Sequence, residues 1–361
     1  MATKERAIDF FNLLGMAKGV AILLVVIGHS GCPQYLFRFI YLFHMAFFFI
    51  ASGSFFKEEY LMHPFTFVYK KIRSIYIPFV TIVTLYIIAS SGLCEIGLIS
   101  SSEKIADYPF AFRACFLHLM GGGNLFSPLW FLRSLLFSLL GFYSITFFCH
   151  KCVPSKYQAY IWWTLIIFFA SIHWFSKLGL IPCRVFFRDL VAISLVGIGY
   201  TCQHHSKFLY NFLKQRLGKI VGWFSLVLLL LLATAGKSIG FVGARLGNPL
   251  FFYVSSLSGF YLLCWISMHF AAFSFLRIVL EYCGRHTMPI FVWHFVAFKL
   301  VSYMKIEYYH LPFSRLSEHP VIEDGHTFWW PIYTISGVLL PLLYDYIVSS
   351  KEASHHETSC H

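Results

Sequence analysis

The chain has 361 residues, of which 58% are hydrophobic, 20% aromatic and only 12% charged, with a mean hydropathy of +0.69. A soluble domain of this length carries about twice that share of charge, so the composition excludes one and points to a polytopic membrane protein. The formal net charge of +12 comes from basic clusters that abut hydrophobic stretches without any nucleic-acid-binding motif, which fits anionic lipid headgroups or an anionic cofactor and no nucleic acid.

Apolar stretches near 20 residues are long enough to cross a bilayer as helices. They predict an all-α fold of about ten transmembrane helices, at 12–31, 35–56, 74–92, 126–148, 157–175, 185–203, 220–236, 249–272, 288–304 and 329–349. The fifth and sixth are short and flanked by charge. One transmembrane domain is expected over residues 1–350, followed by a polar, mobile tail, 351–361, containing His355, His356 and His361. The first stretch has a basic start, and His29-Ser30-Gly31-Cys32 faintly resembles a lipoprotein cleavage site. His29 stands where such a site carries leucine, and Lys18 interrupts the apolar run, so a retained helix is expected. With the N-terminus inside, fifteen of the 28 Lys and Arg fall on the cytoplasmic side, five (Lys18, Arg38, Arg133, Arg188, Lys299) within spans and eight outside. This bias places both termini in the cytoplasm, the chain crossing the cell (inner) membrane.

Lys18 and His29 are the most informative residues of the first helix. Eleven residues at 3.6 per turn bring them within about 20° of one helix face, roughly 16 Å apart along the axis. Ionisable groups inside a span are costly and face a cavity, a partner or a substrate path. Gly28, Ser30 and Gly31 leave space beside the His29 ring, whose ordinary titration range suits a neutral general base. No carboxylate occurs between Asp9 and Glu58, so Lys18 needs either an anionic ligand or a distant partner such as Asp189 or Asp345.

In the second span His44 reads as core or as site, and Ser52-Gly53 permits close helix approach. The following loop carries Lys70, Lys71 and Arg73 just before Pro78. This cluster serves equally as a positive-inside anchor or as a phosphate clamp, since Lys and Arg bind phosphate through charge-assisted hydrogen bonds. Cys149-His150-Lys151-Cys152 has the spacing of half a zinc site but lacks a second ligand pair, so a membrane-edge loop is expected and no metal site. Arg133 in the fourth span needs a partner or water. His294 in MPIFVWHF reads as structural, and Pro128 and Pro289 sit near helix starts, where proline is tolerated.

Taken in order, KGVAILLVVIGH, FHMAFFFIASG, KKIRSIYIP, PLWFL and LEYCGRHTMPIFVWHF resemble the acyltransferase-3 family of integral membrane acyltransferases over most of the chain. The family carries an arginine and, after ten intervening residues, a histidine in its first helix. Lys18 stands at the arginine position and His29 at the histidine, and Lys70 and Arg73 match a second Arg-x-x-Arg motif. Family members often place an acidic residue three before the basic one, where this chain has Gly15. The resemblance implies transfer of an acyl group, acetyl by default, from acyl-CoA as co-substrate to a hydroxyl of a carbohydrate, such as a cell-envelope or exported polysaccharide. No permanently bound cofactor is implied. It makes His29 the catalytic base and Lys18, Lys70, Lys71 and Arg73 the donor-binding cations. An oxyanion donor is also needed, for which Ser30 and Ser52 are no more than candidates. Nothing in the outer loops identifies a particular sugar, although their Tyr108, Tyr308, Glu323, Asp324 and Trp329 are of the aromatic and acidic kinds that line such sites. The alternative is a transporter or flippase of a glycan or small molecule, which also combines ten spans with intramembrane charge. Against it, the charges do not fall into two matching halves.

Overall fold

In lipid a backbone must satisfy its own hydrogen bonds, and a helix does so within one segment. The computed structural model describes residues 9–101, 127–177, 184–236, 239–241, 246–323, 325 and 327–358. Among these the fold is all-α. The helices are α1 Phe10–His29, α2 Gln34–Tyr41, α3 His44–Ser54, α4 Pro64–Lys71, α5 Ile77–Glu95, α6 Trp130–Cys152 and α7 Ser155–Lys177. They continue as α8 Arg184–His204, α9 Ser206–Lys214, α10 Arg216–Thr234, α11 Pro249–Phe270, α12 Ser274–Arg285, α13 Thr287–Tyr309 and α14 Trp330–Thr358. Among the described residues, eight helical stretches are long and apolar enough to cross a membrane. Helices α7 and α8, of 23 and 21 residues, supply the length for two more. The count of about ten therefore holds.

Several boundaries depart from the expected ones for visible reasons. The second span is two helices. Phe43 leaves helical geometry at φ −148°, and Gly259 takes in its side chain: a Cβ on that glycine would lie 2.1 Å from the Phe43 Cβ. The chain thus turns between Tyr41 and His44 instead of running straight through. A π-helical turn, Ile72–Tyr76, joins α4 to α5 just before Pro78, whose ring cannot sit over a regular α-turn. Cys149 and Cys152 lie in the last turn of α6, not in a loop, with Cys149 buried and Cys152 exposed. No group of ligands able to hold a metal occurs among the described residues. The last helix runs on to Thr358 and absorbs most of the expected tail.

Helix α1 is central, packing on α11, α12, α13 and α14. Asp9 caps its start by accepting the Asn12 N–H at 2.7 Å. Helices α3 and α8 touch almost backbone to backbone, since a Cβ on Gly53 would sit 1.9 Å from the Val196 carbonyl oxygen and one on Gly199 1.8 Å from that of Ile50. The Ser54 hydroxyl donates across this contact to the Gly199 carbonyl at 3.0 Å.

An ion cluster joins α6 to α8. Arg133 Nη1 lies 3.0 Å from Asp189 Oδ2, Arg188 Nε lies 3.6 Å from Asp189 Oδ1, and the Ser134 hydroxyl donates to Asp189 Oδ1 at 2.5 Å. All four side chains are buried. Removing one member of a buried pair strands the other charge, at about 3–5 kcal/mol. Asp189→Ala is therefore expected to lower the yield of folded protein and its thermal unfolding midpoint in detergent. A midpoint equal to wild type would show that the cluster is not a structural anchor.

Candidate active site

The spacing of Lys18 and His29 holds in the fold, because α1 is one unbroken helix with His29 as its last residue. His29 lines a cavity of about 240 Å³ together with Tyr41, His44, Trp130, Phe241 and Phe291. Its Nδ1 lies 3.4 Å from the Tyr41 hydroxyl, a long contact within reach of a hydrogen bond. The break after Tyr41 is what brings both Tyr41 and His44 to this cavity. His44 is buried, and its Nδ1 donates to the Ile40 carbonyl at 2.8 Å.

The opposite wall comes from the PLWFL segment. The Trp130 indole stands in the cavity wall, with the Arg188 guanidinium stacked 4.4 Å from its ring centre. The ion cluster of α6 and α8 thereby supports the site from behind. Behind His29 lies α13. The His294 ring is centred 5.5 Å from that of His29, and Phe295 is at 5.1 Å.

A loop returns along α13 and adds a fourth histidine. Lys299 Nζ donates to the carbonyls of Leu316 and Glu318, both at 2.8 Å, and Lys305 Nζ to that of Ile322 at 3.0 Å. These bonds hold His319 against Phe295, ring centres 4.5 Å apart. One face of the His319 ring stays open. Loss of water from the other, followed by the nearby Lys299 ammonium, lowers its imidazole to about 4, so it is neutral at pH 7.

Lys18 is half-buried near the middle of α1, eleven residues before His29. No carboxylate among the described residues pairs with it. Asp189 is committed to Arg133, and Asp345 bonds the His286 Nδ1 at 2.6 Å. The Lys18 ammonium instead lies 5.7 Å from the centre of the Phe55 ring. Phe56, next in the chain, packs on Tyr60 and Phe67, the rings that Lys70 and Lys71 approach at 5.4 and 5.7 Å. Phe55 also packs on Phe11, so this aromatic patch and its lysines lie at the N-terminal end of α1. Arg73 is exposed on the π-turn. Among the described residues no hydrogen bond or ion pair joins Lys18 to Lys70, Lys71 or Arg73.

Other expectations fare differently. The Ser30 hydroxyl is spent on the Ile27 carbonyl at 2.8 Å, and Ser52 sits two turns along α3 from His44, away from His29. Neither stands as an oxyanion donor, whereas the Tyr41 hydroxyl is at hand. Of the acceptor contacts, Tyr108 and Asp324 lie outside the described residues. Tyr308 and Glu323 are exposed, Trp329 donates to the Tyr309 hydroxyl at 3.2 Å, and none of these three lines the His29 cavity. Sequence reasoning missed Tyr41 and Trp130 as site residues and assigned His294 to structure. Histidine inside an apolar span was the available signal for His294.

The arrangement is that of a multi-pass helical membrane protein with a buried histidine centre at one end of its first helix and a basic, aromatic patch at the other. A model of the acyltransferase-3 family, described as an acyltransferase domain, matches residues 12–346. The chain belongs to this family and is a membrane acyltransferase. No curated protein and no solved structure gave a match. If the Tyr41 hydroxyl serves the His29 centre, Tyr41→Phe lowers kcat of acyl transfer about tenfold with apparent KM unchanged. An unaltered kcat would remove Tyr41 from the chemistry.

Proposed function

We propose that this protein moves an acetyl or related acyl group from acyl-CoA to a hydroxyl of a carbohydrate, with His29 as general base. The observation that carries the reading is the seating of His29: a histidine at the end of an apolar helix, facing a cavity of about 240 Å³, with no carboxylate among the described residues beside it. A neutral imidazole there takes the proton of the acceptor hydroxyl as its oxygen attacks the thioester carbon. The tetrahedral intermediate collapses, the C–S bond breaks, and the coenzyme A thiolate receives the proton from His29.

Lys18, Lys70, Lys71 and Arg73 serve the donor in this reading. The unpaired Lys18 ammonium and the lysines over Tyr60 and Phe67 form an anion-seeking patch, suited to phosphates of coenzyme A. With both termini cytoplasmic that patch faces the compartment that holds acyl-CoA, and the extended pantetheine arm runs along α1 towards His29. The acceptor meets the thioester at the far, outer end, consistent with an envelope or exported polysaccharide and with the inner membrane as location.

The test uses isolated membranes and radiolabelled acetyl-CoA. Wild-type membranes should label a glycan, and His29→Ala at equal protein level should not. Full labelling in that variant would sink the assignment of the base. Lys18→Ala should raise the apparent KM for acetyl-CoA about tenfold, while Lys18→Arg, which keeps the charge, stays near wild type. Normal kinetics in Lys18→Ala would make the lysine structural and end the donor-site reading.

A further inference from the structure

Catalytic histidines that gain a proton need an acceptor for their second N–H, commonly a carboxylate. Here none among the described residues lies beside His29, and the residue three before Lys18 is Gly15. What does lie beside it is His294. That side chain is completely buried, and its Nδ1 sits 3.1 Å from the Ile290 carbonyl oxygen, one turn back on α13. A carbonyl only accepts, so Nδ1 carries the hydrogen and Nε2 is a bare lone pair. This Nε2 has no hydrogen-bond partner among the described residues. Leaving a buried acceptor unmet is a cost that a purely structural position avoids by carrying an apolar ring.

The ring centres lie 5.5 Å apart with the planes tilted by 30°; no hydrogen bond joins the two rings in this structure, and catalytic hydrogen bonds of this kind tighten when the site is loaded. We propose that His294 is the positioning residue of this centre: its Nε2 lone pair accepts one N–H of His29 and leaves the other His29 nitrogen for the acceptor hydroxyl. The inference rests on His29 being the base. When His29 takes the acceptor's proton it becomes an imidazolium with two N–H donors. His294 holds one of them without receiving the proton, which later passes to the departing thiolate. Protons balance over the cycle, and no further reactant is needed.

The surroundings agree with this assignment. The groups facing His29 are Tyr41 and His44 from the broken second span, His294 on α13 and, behind Phe295, His319 with Lys299. His44 is held in the same Nδ1–H form by the Ile40 carbonyl, and its ring lies against Tyr41 with centres 4.7 Å apart. His294 is the one of these whose free nitrogen is sealed from the cavity, so it acts through His29 and not on the substrate.

The experiment compares His294→Phe, His294→Met and His294→Gln in membranes supplied with radiolabelled acetyl-CoA, normalised to the amount of protein. Phe keeps the ring and Met the bulk, and neither offers a comparable acceptor, whereas the Gln amide oxygen does. The expected result is a fall in kcat of about 100-fold for Phe and Met, with the apparent KM for acetyl-CoA unchanged. Gln should recover to within about tenfold of wild type. Should Phe not accumulate in the membrane, the Gln–Met pair decides alone. Gln no more active than Met, or a change confined to KM, overturns the proposal. Absence of labelling by wild type instead refutes the acetyl-CoA reading, and full activity of His29→Ala refutes the base, so the three failures are distinct.

Discussion

Inside an apolar environment every buried polar group must find its partner within the protein, and this requirement organises the whole molecule. Asp189 draws Arg133, Arg188 and Ser134 together and thereby locks α6 to α8. Lys299 and Lys305 satisfy their ammonium groups on loop carbonyls and so pin the stretch after α13 back onto that helix. His44 and His294 each spend a nitrogen on the carbonyl one turn earlier. These bonds fix helices and a loop that surround the His29 cavity.

Two of these arrangements converge on His29. The ion cluster reaches the cavity through the stack of Arg188 on Trp130, and the pinned loop reaches it through His319 and Phe295. A reacting centre needs side chains held to within a fraction of an ångström, and neighbours that are themselves fixed provide that. Lys18 follows the opposite pattern. It is a cation in a span with an aromatic ring beside it and, among the described residues, no carboxylate partner. The His29 cavity thus lies at the C-terminal end of a single helix about 30 Å long, and the Lys18 ammonium reaches towards the aromatic patch at the N-terminal end.

The family relation extends over residues 12–346, and this chain carries its own version of the pattern. Lysine replaces arginine at position 18, and glycine stands at 15. A lysine keeps the charge and loses the planar fork, so it suits a phosphate as a point charge better than a bidentate partner. Gly15 belongs to a packing surface: a Cβ on Gly284 of α12 would lie 2.0 Å from the Gly15 carbonyl oxygen. At this point α1 serves helix packing.

Much of this was legible in the chain alone. Composition determined the membrane class, apolar length determined about ten helices, and the spacing of Lys18 and His29 determined that they share a face, because helical periodicity is local and needs no tertiary information. Other features were decided only by the fold. The break at Leu42–Phe43 has no proline or glycine to announce it; it depends on Gly259, more than two hundred residues later, making room for Phe43. The partner of Arg133 lies 56 positions on, and the histidine whose ring neighbours that of His29 lies 265 positions on in a different helix. Such pairings follow from which helices pack together, and packing is a property of shape and of buried polar groups finding one another. The sequence therefore specified the family and the class of chemistry, while the tertiary structure selected the residues that surround His29.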